Sequence, residues 1–420
     1  MLERAVTPAS AYTRRPPHMK KSHSTSTRPA DRAEALRNEQ NRKMARSAHA
    51  YVRGNTVKFY EWLRTRRHRA LPSGPPVWIC GDCHVGNLGP VADADGRIDI
   101  QIRDLDQTVI GNPAHDLIRL ALSLATAARG SDLPGVTTAL MLEQMMEGYE
   151  QGLSQTRRRE TGQGDKPESV RVVLHQALER TWKHLAKERL EDVRPNIPLG
   201  DRFWSLSGPE KAAIDELFST DAARRLITSL KSRKKDARVT VLDAAYWMKG
   251  CSSLGLLRYA VLVGVGKANK SKDFCLLDIK EARPAAAPRA PRSRMPRDNG
   301  KRVVEGARQL APYLGERMMS ATFMQRSVFI RELLPQDLKL EMDQLTREEA
   351  VQAAAYLAGV VGRAHSRQMS PATRKQWRSV LRRDRTARLD APSWLWSSVV
   401  DLKSSHETAY LEHCRRYATG

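Results

Sequence analysis

Cysteine is scarce in this chain: five residues in 420, an odd number that does not suit a fully paired disulfide framework. No run of 18 uninterrupted apolar residues occurs, and the apolar stretch Leu117–Ala128 is short and holds Arg119, which argues against a membrane-spanning helix. No apolar segment follows the basic residues at the start, so an export signal is not expected and a soluble, reducing, cytoplasmic setting is. Aromatics make up only 6%, yet six Phe, eight Trp and ten Tyr within 40% hydrophobic residues suffice for a core and exclude wholesale disorder. Acidic residues are also few, 47 against 71 Lys and Arg, which leaves a net charge of +24. Such a balance attracts polyanions (nucleic acid, anionic membrane or nucleotide phosphates) or reflects solvated basic faces. The basic runs Arg157–Arg159, Lys231–Arg238 and Arg382–Arg388 carry no interleaved aromatics, so they do not form a base-stacking platform.

The acids that are present cluster informatively. Cys80-Gly-Asp-Cys-His-Val-Gly-Asn87 is followed by Ile102-Arg-Asp104-Leu-Asp106. Between them, Asp93-Ala-Asp-Gly96 supplies turn chemistry, and Ile98, Ile100 and Ile102 alternate with polar residues, which predicts a hairpin ending at Asp104. After Gly111-Asn-Pro113, the spacing of Leu117, Leu120 and Leu124 behind Asp116 predicts a helix. A carboxylate, a carboxamide and two further carboxylates are thereby placed where a base and oxygen ligands can meet around Mg²⁺. Asp106 reads either as a second magnesium ligand or as a solvated turn carboxylate. His84 reads as a loop-structuring partner or a proton shuttle. Cys80-x-x-Cys83-His84 also fits a haem-attachment, zinc or thiol-redox pattern, but these require an export signal, a fourth ligand or a partner that the sequence does not supply.

Residues 80–125 resemble the catalytic core of aminoglycoside phosphotransferases and choline kinases, whose pattern runs Gly-Asp-x-His-x-x-Asn, hairpin, Asp, Gly-Asp-Pro, Asp-Leu. Asn112 stands where that pattern has Asp. The resemblance implies Asp82 as catalytic base, Asn87 and Asp104 as metal ligands, and Asp116 as a buried brace for the loop. It favours a small-molecule hydroxyl as acceptor.

Residues 114–247 read as almost wholly helical, with helices over 114–129, 134–155, 168–192, 208–218 and 220–232. The texture changes at Gly250-Cys-Ser252-Ser-Leu-Gly255, whose small residues allow backbone N–H groups to approach phosphate; alone the motif reads first as an ordinary glycine turn before a strand, and its context raises the phosphate reading. Strands are predicted over 257–265, 273–280 and 327–333, and a helix over 301–313. A Lys on the third strand paired with a helical Glu is the small-lobe arrangement of kinases, which singles out Lys280 with Glu305, Glu281 being the competitor. The helix over 347–367 ends in His365, and small-molecule kinases place such a helix directly before the catalytic loop. Rotated cyclically, the linear order is the kinase order, and circular permutation with a break just before the catalytic loop follows. Over most of residues 36–415 the chain also resembles the bacterial domain of unknown function 2252 family. The resemblance rests on Arg53-Gly54, Gly81-Asp82-x-His84-x-x-Asn87, Asp104-Leu-Asp106, Gly250-x-Ser252-x-x-Gly255, Lys280-Glu-Ala282 and Arg302-Val-Val-Glu305-Gly306.

The expected architecture is α+β and two-lobed, with a largely helical large lobe and a small, mostly antiparallel sheet lobe. A disordered basic tail (1–33) precedes N-terminal helices (34–76), then the catalytic loop, metal hairpin and helical lobe (77–247). A nucleotide-binding lobe (248–345) and C-terminal helices (346–420) complete it. The expected activity is ATP- and Mg²⁺-dependent phosphoryl transfer to a small-molecule hydroxyl. Asp82 and His84 are the catalytic candidates, Gly250, Ser252, Gly255, Lys280 and Glu305 hold nucleotide, and Asn87, Asp104 and Asp106 hold metal. Nucleotide binding without phosphoryl transfer, AMP transfer, and nucleic-acid binding through the basic surface are the alternatives.

Overall fold

The computed structural model describes residues 31–65, 71–154, 166–190, 196–250, 254–266, 274–338, 345–383 and 391–417. Residues 1–30 of the expected basic tail lie outside this range, as does Ser252. The tail's expected boundary at 33 is too late: Arg32 already begins a helix and is buried against Glu210.

Three helices come first: α1 (Arg32–Ala45), α2 (Ala48–Gly54) and α3 (Thr56–Leu63). Ser47 caps α2 by accepting from the Ala50 N–H, and Asn55 caps α3 by accepting from that of Lys58. Strand β1 (Val77–Ile79) then leads to the hairpin of β2 (Leu88–Ala92) and β3 (Ile98–Ile102), and β4 (Val109–Gly111) returns to pair antiparallel with β1. The hairpin turn is built as its residues dictate. Asp93 accepts from the N–H groups of Asp95 and Arg97, and Gly96 takes φ +81°.

Helices α4 (Ala114–Gly130), α5 (Gly135–Ser154), α6 (Glu168–Glu179) and α7 (Trp182–Leu190) follow. The single helix expected over 168–192 is two. Arg180 turns to extended backbone (φ −75°, ψ 138°), and its Nε donates to Pro335 O.

The sheet begins earlier than the sequence pattern implies. β5 (Phe203–Trp204) precedes α8 (Gly208–Ser219) and α9 (Asp221–Ile227), and β6 (Val239–Trp247) is a strand inside the stretch expected to be helical. β7 (Arg258–Val265), β8 (Phe274–Glu281), α10 (Asn299–Leu310), α11 (Pro312–Gly315), β9 (Met318–Phe323) and β10 (Arg326–Leu333) complete this region. The strands form one six-stranded antiparallel sheet, ordered β5-β6-β7-β8-β10-β9. Alternation along the strands sorts its two faces. Tyr259, Val261, Leu277 and Ile279 pack with Ile214 and Phe218 of α8 on one face. Ala260, Leu262 and Leu276 pack with Trp182 and Leu185 of α7 on the other. Asp278 and Lys280, two and four residues beyond Leu276, share that second face.

The chain ends in α12 (Arg347–Ser366), α13 (Pro371–Arg382) and α14 (Ser393–Tyr417). Helices α5 and α12 meet backbone to backbone. A Cβ added at Gly148 would sit 1.9 Å from Ala355 O, and one at Gly362 would sit 2.4 Å from Tyr149 O. Helix α14 returns to the first helices, where Tyr410 Oη donates to Ala45 O. The architecture is α+β. Among the described residues no helix is long and apolar enough to cross a membrane.

Candidate functional site

The loop after β1 is held by one buried carboxylate. The N–H groups of Cys80 and Gly81 donate to Asp116 at 2.7 and 2.9 Å. Gly81 has φ +75°, and a Cβ there would lie 2.1 Å from Gln107 O, so this turn takes only glycine. Asp116 sits in the first turn of α4 and also faces His365 Nε2 at 3.2 Å. His365 Nδ1 in turn meets Tyr149 Oη at 2.9 Å, which accepts from Trp377 Nε1. Four helices, α4, α5, α12 and α13, thus converge through fully buried polar groups on the position of two peptide N–H groups.

Asp82 follows directly. Its Oδ1 accepts from Arg119 Nε at 2.9 Å, and Arg119 Nη2 donates to Val52 O on α2. Its Oδ2 has no hydrogen bond among the described residues and lies 4.0 Å from His84 Nε2. Burial pushes His84 down to about 3, with Arg53 and Arg119 adding to the shift and Asp82 opposing it, so the imidazole is neutral at physiological pH. Asn87 donates through Nδ2 to Asp82 O at 2.9 Å, which leaves its Oδ1 without a hydrogen bond among the described residues.

The hairpin delivers Asp104 and Asp106 to the sheet. Lys280 Nζ forms an ion pair with Asp106 and lies 3.5 Å from Asp104 Oδ1. The lysine side chain is 3% exposed and that of Asp104 43%, so the cluster is closed at the ammonium and open at the carboxylate. Burial, followed by the charge of Asp104, raises Asp106 to about 7. Burial also acts to raise Asp104, but Lys280 and Arg331 outweigh it and hold that carboxyl below the usual range. Asp106 is therefore no solvated turn residue. Its loop is fastened by Arg302, which donates to the carbonyls of Asp106, Thr108 and Arg283.

Lys280 is surrounded by paired cations that sequence reasoning passed over. Arg258 on β7 holds Asp278 at 2.6 and 2.9 Å, and Arg331 on β10 holds the same carboxylate at 3.2 and 3.3 Å. Arg331 Nη1 also donates to Arg103 O, tying the sheet to the hairpin. Arg119 and Arg258 share one available signal, a charge inside an otherwise apolar run.

The expected partner of Lys280 is elsewhere. Glu305 accepts from Gln309 and pairs with Arg308 on its own helix, while Glu281 accepts from the Leu257 N–H and from Arg283. Lys280 takes its charge balance from Asp104 and Asp106 because they approach the second face of β8. Gly250 and Gly255, each at φ +94°, bracket the β6–β7 connection at the Lys280 end of the sheet, where Arg258 and Lys280 are cross-strand partners. Cys80 and Cys83 are free and buried. Cys83 acts first to raise the Cys80 thiol and burial adds to it, while at Cys83 the hydrogen bond from Cys80 acts to lower the thiol but burial and the charges of Asp116 and Asp82 outweigh it, so both thiols are raised. Among the described residues no three His, Cys, Asp or Glu converge as a ready metal cage.

These features define an α+β protein in which a buried sheet lysine meets two aspartates beside a braced, Asp-bearing loop. Residues 32–416 match the family described as uncharacterized protein conserved in bacteria (DUF2252), and the chain belongs to that family. No curated protein and no solved structure matches it.

Proposed function

We propose that the protein is an ATP- and Mg²⁺-dependent phosphotransferase of the kinase-like class, acting on a small-molecule hydroxyl. The observation that carries this is the meeting of Lys280 with Asp104 and Asp106, which brings a sheet-borne ammonium to a hairpin-borne carboxylate pair. The order of elements agrees: a glycine-bounded turn joins β6 to β7, the lysine lies on β8, helix α10 follows, and β9–β10 complete the sheet.

Two lobes and a circular permutation account for the linear order. Helix α12 ends where the catalytic loop begins. His365 faces Asp116, and Gln368 Oε1 accepts from the Trp78 N–H at 2.7 Å, two residues before Cys80. An unpermuted kinase chain would run straight through that point, and surface termini tolerate such rearrangement.

In the proposed reaction the acceptor oxygen bonds to the γ-phosphorus and its proton passes to Asp82 Oδ2. The bond from the γ-phosphorus to the bridging oxygen breaks, and ADP leaves with the electron pair. Arg119 orients Asp82 by holding Oδ1, Lys280 steadies phosphate oxygens, and His84 is a neutral neighbour. Asp104, Asp106 and the Asn87 carboxamide oxygen are hard donors of the kind that would hold Mg²⁺. The unpartnered buried Oδ1 of Asp106 fits that role. Magnesium would supply charge neutralisation on the triphosphate.

Thermal unfolding with Mg²⁺ and ATP tests the proposal. The expected result is a rise in Tm whose metal-dependent part disappears in Asp104→Ala, and a well-folded Asp82→Asn that releases no ADP. Labelled ATP separates γ-phosphoryl transfer from AMP transfer or binding alone. Absence of nucleotide binding by the intact protein, with affinity for nucleic acid that falls steeply with salt, would overturn it.

A further inference from the structure

The first helices belong to the site, although nothing in their sequence pattern assigns them chemistry. Tyr60 Oη donates to Gly81 O at 2.6 Å, and Val52 O accepts from the arginine that grips Asp82. Arg53 lies between these two anchors, at the end of α2. Its guanidinium rests on the turn that carries Asn87: a Cβ built on Gly86 would lie 3.0 Å from both Cζ and Nη2. The same loop carries Asp82, whose Oδ2 lies 4.0 Å from His84 Nε2, so Arg53 and Asp82 both border the segment 82–87.

Arg53 differs from the other arginines at this centre. Arg119, Arg258, Arg302 and Arg331 donate to carboxylates or carbonyls. Arg53 is half-buried and has no hydrogen bond or ion pair among the described residues. Beside it, His84 is 4% exposed and its Nδ1 is buried without a partner. A polar atom left unmet at the depth of His84 Nδ1 is destabilising unless a ligand satisfies it. A guanidinium offers five donors in a planar fork that matches a carboxylate or phosphate.

We infer that the acceptor carries an oxyanion, carboxylate or phosphate, close to the hydroxyl that is phosphorylated, and that Arg53 receives it. This rests on the phosphotransferase proposal and sharpens it: the acceptor is anionic, opposite in charge to aminoglycosides and choline. The net charge of +24 draws such a molecule in. Arg53 serves the acceptor and Lys280 the nucleotide.

The test uses the full chain saturated with Mg²⁺ and ADP, titrated calorimetrically with inorganic phosphate and, separately, with acetate. Wild type is expected to bind at least one of them, and the tighter of the two identifies the head group. Arg53→Ala is expected to lose tenfold or more in that affinity while binding Mg²⁺·ADP within twofold of wild type, and Arg53→Lys to fall between. Circular dichroism checks each fold, and Arg53→Gln replaces the alanine variant if that one does not fold. Equal anion binding by wild type and Arg53→Ala overturns the inference, as does tenfold weaker Mg²⁺·ADP binding, which would place Arg53 on the nucleotide. Failure of wild type to bind Mg²⁺·ADP would count against the phosphotransferase proposal, while the anion titration without nucleotide still reports on Arg53. In a panel scored by ADP release, hydroxy acids and sugar phosphates should be consumed. Turnover of a neutral polyol unaffected by Arg53→Ala would also overturn the inference.

Discussion

At the scale of single residues, the site is an arrangement of buried charges that each need a partner. Arg119 is 1% exposed and divides its donors between Asp82 and Val52 O. Removing one member of a buried pair strands the other, at a cost of roughly 3–5 kcal/mol. Arg119→Met should therefore lower the urea-unfolding free energy by about that amount, and Asp82→Asn in the same background should recover part of it. Identical losses in the single and double variants would show that Asp82 is not stranded by the loss of Arg119. Histidines set the acid limit. Burial drives His406, whose Nδ1 lies 2.9 Å from Leu402 O, down to about 4, and His84 to about 3. Both folded-state values lie below the unfolded value of about 6.5, so the unfolded chain takes the proton first. Their contribution is complete above about pH 6.5 and is lost as pH falls toward about 4 for His406 and about 3 for His84, each adding a slope of up to about 1.4 kcal/mol per pH unit. His406→Asn should flatten the pH dependence of the unfolding free energy by about one proton between pH 6 and 4.5, and an unchanged slope would contradict this. Asp82, Asn87 and Asp104 were legible because they sit in a short, spaced motif. Arg119, Asp278 and Arg331 were not, because their significance depends on which strand or helix lies opposite. Glu305 was misassigned to Lys280 for the same reason: its helix was legible and its direction was not.

Elements divide by how local their causes are. The β2–β3 hairpin was readable because Asp93 and Gly96 build its turn from within, and β7, β8 and β10 because short apolar runs announce them. Strand β6 was hidden because Asp243-Ala-Ala245 in its middle suits a helix, and it is a strand only through its pairing with β7. Strand β5 is two residues long, too short for any pattern. The contact of α5 with α12 was equally invisible, being written in glycines whose purpose is the neighbouring backbone. Gly148→Ala places a methyl 1.9 Å from Ala355 O, so the helices must part. Its penalty should reach or exceed the roughly 1–3 kcal/mol usual for overpacking, and His365 should be displaced from Asp116. Gly96→Ala, with open space around its Cβ, should lose only about 1 kcal/mol, from its positive φ alone. Differential scanning calorimetry of the two variants checks this contrast; equal Tm values would show that the helices close over a methyl without strain.

For the molecule as a whole, arginine-to-carbonyl bonds decide whether sheet and hairpin move together. Arg317 is fully buried and donates to Ala92 O, Glu332 O and Asp337, joining the β2–β3 turn to the far end of the sheet. Wild type should unfold in one calorimetric transition. Arg317→Met should lower Tm and separate a sheet transition from a helical one; a single transition at the wild-type Tm would mean that the contact is idle. Net charge, the loudest number in the composition, foretold none of this, since it bears on partners and solubility rather than on fold. The bond between His365 and Asp116 has one more effect, felt on the ribosome. The two residues are 249 positions apart. At about 5–20 residues per second, the Asp82 loop emerges roughly 10–50 s before helix α12, which bears on its brace. Throughout that interval Asp116, which holds the loop, lacks its own partner His365, so nascent chains arrested before α12 should be protease-sensitive at the loop and become resistant only once translation passes Ser366.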